Sequence, residues 1–554
     1  MKKIGIIIAL ICITLGALFL RVNKIASVPP ALSWDEVSIG YNAYSILKTG
    51  KDEHGKFFPI DTFVAYGDYK PPLSIYMTVP FVAVFGLNEF AVRLPSALFG
   101  TFTVLMTFFL VRELFRKKLY GLSTLKTFDL PIVSALLLAV SPWHINLSRA
   151  GFEANIALFF VVLGVYCILV AVGKPKVWIV AWLPFVAAVY TFNSARYFAP
   201  LFGLVLCVFF WKSIIAHWKQ FLVGAVIACV TMVPILPHLV SPEARLRFEE
   251  VNIFTDASVV LTSNERIAYD NNSIVGRVFH NRRIGYALSY LRHFADNLQP
   301  SFLFVTGDGN PKFSTQVVGQ MYMVEAPLLA VGLIALFVTA PQIAWILLLW
   351  IILAIVPAAT ARETPHALRI LNSLPVWQII VAYGITVVFG WVAKTFGKYK
   401  KLASIGIGIV CVGVYAFSVG YYLHNYYAHF AGVYSGEWQY GYAEAITAAQ
   451  KIESNYDKIY MSSTIGRPYM YTLFYTKFDP NEYLKLKESR FDAAGFYHVY
   501  GFGKYTFIDA MPSGALEADA LYIGDAGWVP EGAHVIQKIT LLDGSDTLVL
   551  FDAK

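Results

Sequence analysis

Charge is scarce in this chain. Only 14% of its 554 residues are Asp, Glu, Lys or Arg, against about 25% in soluble domains. That scarcity excludes an ordinary soluble enzyme. A mean hydropathy of +0.57 and 57% hydrophobic residues point instead to a polytopic membrane protein. Cysteine is equally thin. Cys12, Cys167, Cys207, Cys229 and Cys411 all lie inside apolar runs and none has a metal-ligand spacing, so they imply no disulfide framework. No internal repeat and no low-complexity segment is visible. The net charge of +8 is spread over short loops and calls for no nucleic-acid partner; it fits the Lys/Arg excess of cytoplasmic loops.

Long apolar runs are what the chain has in abundance. A spanning helix needs about 20 apolar residues, and eleven candidates are expected: 4–22, 91–111, 129–143, 154–172, 177–192, 197–211, 220–239, 319–339, 343–358, 370–392 and 402–423. The first could be read as a signal peptide, but Ala26-Ser27-Val28-Pro29-Pro30 offers no convincing cleavage site, and a retained span is the expectation. Segment 71–86 is short and begins with two prolines. If it crossed the bilayer, the stretch holding Arg112, Arg116, Lys117, Lys118 and Lys126 would face outward, against the positive-inside rule. If it dips in and returns, that stretch, Lys174/Lys176, Lys212–Lys219 and Lys394–Lys401 all face the cytoplasm. The amino terminus is then inside and the carboxyl terminus outside.

This sidedness expects a transmembrane domain over 1–423, with outer loops 23–90 and 240–318, and an extracytoplasmic domain over 435–554. The large loop holds an amphipathic stretch around Ile284–Leu298 suited to a membrane surface. Beyond it, Tyr442–Ile452 reads as a helix, and Lys458–Ser462, Ala520–Gly524 and Thr547–Asp552 as strands. Together they suggest a small α/β unit. The fold class is therefore an α-helical polytopic membrane protein with a small C-terminal α/β domain.

The informative polar residues fall on the outer side. Asp35 and Glu36 follow the first span, at the start of an amphipathic stretch Tyr41–Leu47. Lys70 precedes Pro71-Pro72, which fix the backbone and remove two donors. Arg149 and Glu153 flank Ala150-Gly151-Phe152 and, four apart, are also spaced for a local ion pair. Arg196 lies between two spans, and Arg362, His366 and Arg369 form a further cluster that could equally snorkel to headgroups. Asp52-Glu53-His54 has no recognised metal spacing. Carboxylates from two loops beside several cations suit transfer from an anionic lipid phosphate. One carboxylate takes a hydroxyl proton, worth about 10²–10⁴-fold, and arginine or lysine stabilises the departing phosphate. Trp34, Tyr66, Tyr69 and Trp143 could stack on sugar rings.

Trp34-Asp35-Glu36, then Lys70-Pro71-Pro72-Leu73, then Asn88-Glu89-Phe90-Ala91-Val92-Arg93-Leu94-Pro95 resemble the glycosyltransferase clan C membrane enzymes. The nearest are the protein O-mannosyltransferase-like and aminoarabinose-transferase-like groups, glycosyltransferase family 39. Ser141-Pro142-Trp143-His144 followed by Ser148-Arg149 is similar to the second outer loop of that family. The resemblance is best over about 1–210, weaker over 319–423, and one of placement alone at the C-terminus. It implies a polyprenyl-phosphate-linked sugar donor, a hydroxyl-bearing acceptor and transfer on the outer membrane face. Asp35 matches the acid of the first outer loop, with Glu36 beside it, and Glu153 corresponds to the acid of the second. Lys70 matches a residue near the donor phosphate; Arg149, Arg196, Arg362, His366 and Arg369 are the further phosphate candidates. Mannose, or a similar hexose or pentose, is the sugar the resemblance suggests. Whether a divalent metal takes part is open at this point. The alternative is a lipid or glycan transporter without transferase activity, which predicts inverted repeats and charges near the bilayer midplane; here the ionisable residues gather at helix ends.

Overall fold

The structure is a computed structural model describing residues 3–116, 130–241, 251–492, 497–511 and 515–553. Lys117, Lys118 and Lys126 of the expected topology, and 242–250 of the large loop, lie outside the described residues. The chain divides into two compact units. One comprises Met1–Leu18, Gly100–Leu147 and Ala154–Tyr422; the other comprises Phe19–Phe99, Ser148–Glu153 and Leu423–Lys554.

The first unit is helical. Among the described residues of the whole chain, seven helices are long and apolar enough to span a bilayer: Ile4–Val22, Glu89–Leu114, Glu153–Gly173, Trp218–Leu239, Pro341–Ala358, Leu371–Thr395 and Gly397–Val433. Helices Leu130–Ala139 and Pro142–Arg149 make an eighth if taken together, bent by 53°. The bend falls where Pro142 cannot donate to the preceding turn. The expected count of eleven is therefore not reached by length. Candidates 177–192, 197–211 and 319–339 fall on the shorter apolar helices Pro175–Val189, Ala195–Phe209 and Glu325–Thr339. Fifteen residues, the length of each of the last two, rise only about 22 Å against a hydrocarbon core of about 30 Å. Segment 71–86 forms a 13-residue helix, Leu73–Phe85, interrupted by Pro80.

Many large apolar side chains of these helices face outward, among them Ile8, Leu15, Leu204, Val230, Val338, Leu402 and Phe417. That surface needs lipid rather than water around it. Helices Glu325–Thr339 and Val376–Thr395 meet through glycines: a β-carbon at Gly332 would lie 2.1 Å from the Ile380 carbonyl, and one at Gly384 would lie 2.1 Å from that of Leu328. Such close backbone approach is how helices pack where hydrophobic exclusion offers no drive. The amphipathic helix of the large loop runs Arg282–Asp296.

The second unit joins the first outer loop to the C-terminal segment. Strands β1 (Phe63–Ala65) and β2 (Asp68–Lys70) form a hairpin pairing Phe63 with Lys70. Tyr66 and Gly67, at φ 61° and 95°, make the two-residue turn whose twist suits such a hairpin. The C-terminal segment carries a seven-stranded sheet of β3 (Lys458–Ser462), β4 (Glu488–Phe491), β5 (Tyr497–Phe502), β6 (Tyr505–Ile508), β7 (Ala520–Gly524), β8 (His534–Thr540) and β9 (Asp546–Asp552), in order β4-β5-β6-β3-β7-β9-β8. Central β3 is parallel to β6 and β7, and the outer pairs are antiparallel. The expected helix Tyr442–Ile452 and strands Lys458–Ser462 and Ala520–Gly524 are present with those bounds. Helix Trp34–Thr49 shares their core: Phe474 lies against Gly40, and the Tyr471 hydroxyl donates to the Leu32 carbonyl at 2.9 Å.

Candidate functional site

Helix Trp34–Thr49 begins at the N-cap Ser33, and Glu36 completes a capping box. The Ser33 N–H donates to Glu36 Oε2 at 2.9 Å and the Ser33 hydroxyl at 3.2 Å. Glu36 is 0% exposed. Its Oε1 accepts from Arg93 Nε at 2.8 Å and from the Gly151 N–H at 2.8 Å, while Oε2 also accepts from Arg93 Nη2 at 3.3 Å. The remaining Arg93 donors go to the carbonyls of Ile25, Pro29 and Ala31, and the Trp438 ring lies over its guanidinium. Gly151 stands two residues before Glu153, so this sealed pair ties the start of the Asp35 helix to the start of the Glu153 helix.

Asp35 is placed differently. Its side chain is 37% exposed, and Lys70 Nζ lies 2.7 Å from its Oδ1. The same ammonium reaches Glu153 Oε1 at 3.3 Å, with Glu153 13% exposed and Lys70 only 7%. Lys70 is delivered by the end of β2 and held by the prolines that follow. Burial works against its charge, but Asp35 and then Glu153 override it and push its pKa up, so Lys70 stays protonated. Asp35, Lys70 and Glu153, from three separate segments, thus form one carboxylate–ammonium–carboxylate centre.

Arg149 is committed elsewhere. It lies fully buried, and its terminal nitrogens donate to the carbonyls of Leu20, Asn23 and Val28 and to the Tyr427 hydroxyl at 2.7–2.9 Å. Its guanidinium also faces the rings of Tyr426 and Tyr427. It closes the C-terminal end of the first helix, where a cation complements the dipole. The expected Arg149–Glu153 ion pair is not formed, because a break at Ala150–Phe152 separates their helices and Glu153 turns to Lys70.

In the helical unit, Arg196 Nη1 lies 3.5 Å from His238 Nε2. Arg362 donates to the Asn252 carbonyl at 3.0 Å and to Thr255 Oγ1 at 2.9 Å. Arg369 donates to the Glu363 carbonyl at 3.0 Å and faces its carboxylate at 3.6 Å. His366 stacks on Phe313 and lies 3.9 Å from Asp308. Burial and then Arg369 hold its pKa well below the usual value, so its ring is neutral. Asp308, which sequence reasoning missed, accepts from the N–H groups of Ala367 at 2.6 Å and Asn310 at 2.8 Å. Burial pushes its pKa up to about 6. Trp143 is wholly buried, donating to the Ala367 carbonyl at 3.1 Å, and Tyr66 is buried too. Of the four aromatics expected to meet sugar, these two are unavailable for stacking, whereas Trp34 is exposed. Among the described residues no group of three or more His, Cys, Asp or Glu could hold a metal ion.

Arg93 lies in the 88–95 motif, where nothing local signals its role, because its partners lie in a distant loop. The capping role of Glu36 was legible as Ser33-x-x-Glu36.

Residues 11–242 match the family model described as dolichyl-phosphate-mannose-protein mannosyltransferase. A putative mannosyltransferase of Bacillus subtilis (strain 168), YycA, is 26% identical over 203 residues, which are 36% of this chain and 27% of that protein. The match thus spans little more than a quarter of that relative's length. The crystal structure of ArnT from Cupriavidus metallidurans in the apo state superposes with a TM-score of 0.53 at 13% identity, over 100% of this chain and 99% of that one. The same protein bound to undecaprenyl phosphate gives 0.53 at 12% identity, over 99% and 98%. Over residues 11–242 the chain is thus similar to the dolichyl-phosphate-mannose-protein mannosyltransferase family, and it shares its fold with ArnT.

Proposed function

We propose that this protein is a multi-pass membrane glycosyltransferase that moves a sugar from a polyprenyl-phosphate-linked donor to a hydroxyl acceptor on the outer face of the membrane. The Asp35–Lys70–Glu153 centre carries this reading. Asp35 is the half-open carboxylate and takes the proton of the acceptor hydroxyl. The acceptor oxygen attacks the anomeric carbon with inversion, and the bond to the phosphate oxygen breaks. The phosphate leaves on the lipid with the bonding pair and a second negative charge. Lys70, kept protonated between two carboxylates, supplies positive charge to that leaving group. Glu36, closed in on both oxygens, is assigned to positioning rather than proton transfer.

Arg196, Arg362, His366 and Arg369 remain the proposed donor-phosphate contacts of the helical unit. The match to a mannosyltransferase family favours mannose or a similar hexose or pentose; protein, lipid and cell-envelope glycan are the acceptor classes. The basic loops favour an amino terminus in the cytoplasm and the domain 435–554 outside, with 1–423 as the transmembrane domain. Polyprenyl phosphate as a ligand is supported by its presence on ArnT.

The test is Asp35→Asn in purified protein given labelled polyprenyl-phosphate sugars and candidate acceptors. Transfer should fall by about 10²-fold or more with the unfolding temperature unchanged. Full retained activity would remove the proposal.

A further inference from the structure

The charges around Asp35 do not balance. Lys70 brings one positive charge to two carboxylates, so the centre is net negative, a poor receiver for a lipid phosphate. Arg93 and Arg149 of the same unit offer little, because their terminal nitrogens are held by Glu36, backbone carbonyls and Tyr427. A cation with free donors is needed near Trp34 and Asp35.

Arg467 meets that need. It ends the loop Ser463–Arg467, which leaves central strand β3 where parallel neighbours β6 and β7 lie on either side. In open α/β sheets the crevice at such a divergence, beyond the strand's carboxyl end, is where ligands bind. Gly466 packs on the Trp34 indole: a β-carbon there would lie 3.6 Å from the ring. The Tyr442 hydroxyl fixes the Gly466 carbonyl at 3.1 Å. Tyr66 donates to the Trp34 carbonyl at 2.8 Å, and the Arg467 guanidinium lies over the Tyr66 ring, 4.8 Å from its centroid. The loop is thereby joined to the residue next to Asp35 by two independent contacts.

Among the described residues, the Arg467 guanidinium has no hydrogen-bond or ion-pair partner; the ring of Tyr66 and its electrostatic influence there are its surroundings. Its backbone is left-handed, at φ 58°, a conformation uncommon away from glycine and concentrated at ligand sites. Tyr66 senses both charges: burial, Glu53 and Asp35 push its hydroxyl pKa up, and Arg467 pulls it down.

We propose that Arg467, laid on Tyr66 beside the exposed Trp34, binds the phosphate that joins lipid to sugar in the donor. This rests on the reading that the donor is a polyprenyl-phosphate sugar. The guanidinium's parallel N–H groups suit two phosphate oxygens. Their hold strengthens as the departing phosphate gains its second charge, which makes the C-terminal segment part of the catalytic apparatus.

The test uses the full-length protein in lipid nanodiscs, titrated with undecaprenyl phosphate, undecaprenol and inorganic phosphate. Wild type should prefer the lipid phosphate to the lipid alcohol. Arg467→Gln should weaken the lipid phosphate by about 10- to 100-fold, as expected for hydrogen bonds to a charged group. It should leave undecaprenol binding and the unfolding temperature unchanged, and Arg467→Lys should recover part of the loss. Inorganic phosphate losing affinity in parallel would show that the anion alone is read; its indifference, beside a loss for the lipid phosphate, would show that the chain must seat it. Unchanged affinity for undecaprenyl phosphate in Arg467→Gln overturns the Arg467 assignment while the donor reading stands. Equal losses toward phosphate and alcohol overturn it as well, marking a structural effect. Wild type that does not distinguish phosphate from alcohol sinks both. Should Arg467→Gln fail to fold, Arg467→Lys decides, with a loss confined to the phosphate expected.

Discussion

Two ion-pair regions begin one residue apart in sequence and behave in opposite ways. Around Glu36 every charge is matched and closed in: a carboxylate on a guanidinium, five hydrogen bonds to its two oxygens, and no exposure. Around Asp35 one ammonium serves two carboxylates and the outer one is open to solvent. A balanced buried pair fixes backbone, here the first outer loop and the approach to Glu153. An unbalanced, half-open one leaves a carboxylate exposed enough to accept a proton. Helix geometry separates them, since successive residues of a helix point about 100° apart.

The largest effect comes from breaking the sealed pair. Glu36→Gln leaves the Arg93 guanidinium buried without its counter-charge. Loss of one partner of such a pair removes about 3–5 kcal/mol, so the unfolding temperature should drop sharply and activity should fall with it. Asp35→Asn, one residue away, should leave that temperature where it is. If thermal unfolding of the two variants is the same, the division into a structural and a reactive acid fails.

That division also marks how far the sequence could be read. Hydropathy runs located the long helices, because a membrane span is a local property. It also found the three shorter apolar helices but overstated them as spans: Glu325 caps its helix, through the N–H of Tyr322 onto its own carboxylate, well inside the expected run 319–339. Asp35, Lys70 and Glu153 were each picked from local motifs, and folding brings them within one ammonium's reach. The role of Arg93 was not legible, because its partners at Ile25, Pro29 and Ala31 are contributed by a loop far from it in sequence. The partners of Arg149 were hidden for the same reason. An arginine at a helix end looks available until the carbonyls of another segment are seen to occupy it. Arg467 carried no motif at all, and only the order of strands in the sheet draws attention to it.

A smaller effect sharpens the open side. With Glu153 present the centre carries an excess negative charge, which keeps Asp35 a competent base. Glu153→Gln makes the pair with Lys70 neutral and tightens it, lowering the basicity of Asp35. The rate constant kcat should therefore drop, by up to about tenfold, and the acid limb of the pH–rate profile should move to lower pH. An unmoved limb, whatever the rate, would show that Glu153 is not electrically coupled to the base.

A last comparison tests what happens when a carboxylate is sealed with backbone N–H groups rather than a guanidinium against it. Asp308 of the helical unit is nearly as enclosed as Glu36, but its donors are two backbone N–H groups, with the neutral His366 beside it and Arg369 acting without an ion-pair contact. Its pKa is pushed up to about 6 by burial, whereas an aspartate in the unfolded chain titrates near 3.9. The folded protein therefore binds this proton more tightly than the unfolded chain does. By linkage, stability from this group increases as pH falls from about 6 toward about 4 and is lost as pH rises through the folded value. Asp308→Asn removes the titration. The stability difference between wild type and this variant should shift in favour of wild type by about 1–3 kcal/mol between neutral pH and about pH 4.5. Glu36→Gln offers the control, since its buried charge has a guanidinium beside it. A wild-type advantage that is flat across that range would mean that hydrogen bonds from Ala367 and Asn310 alone can hold a buried carboxylate charged.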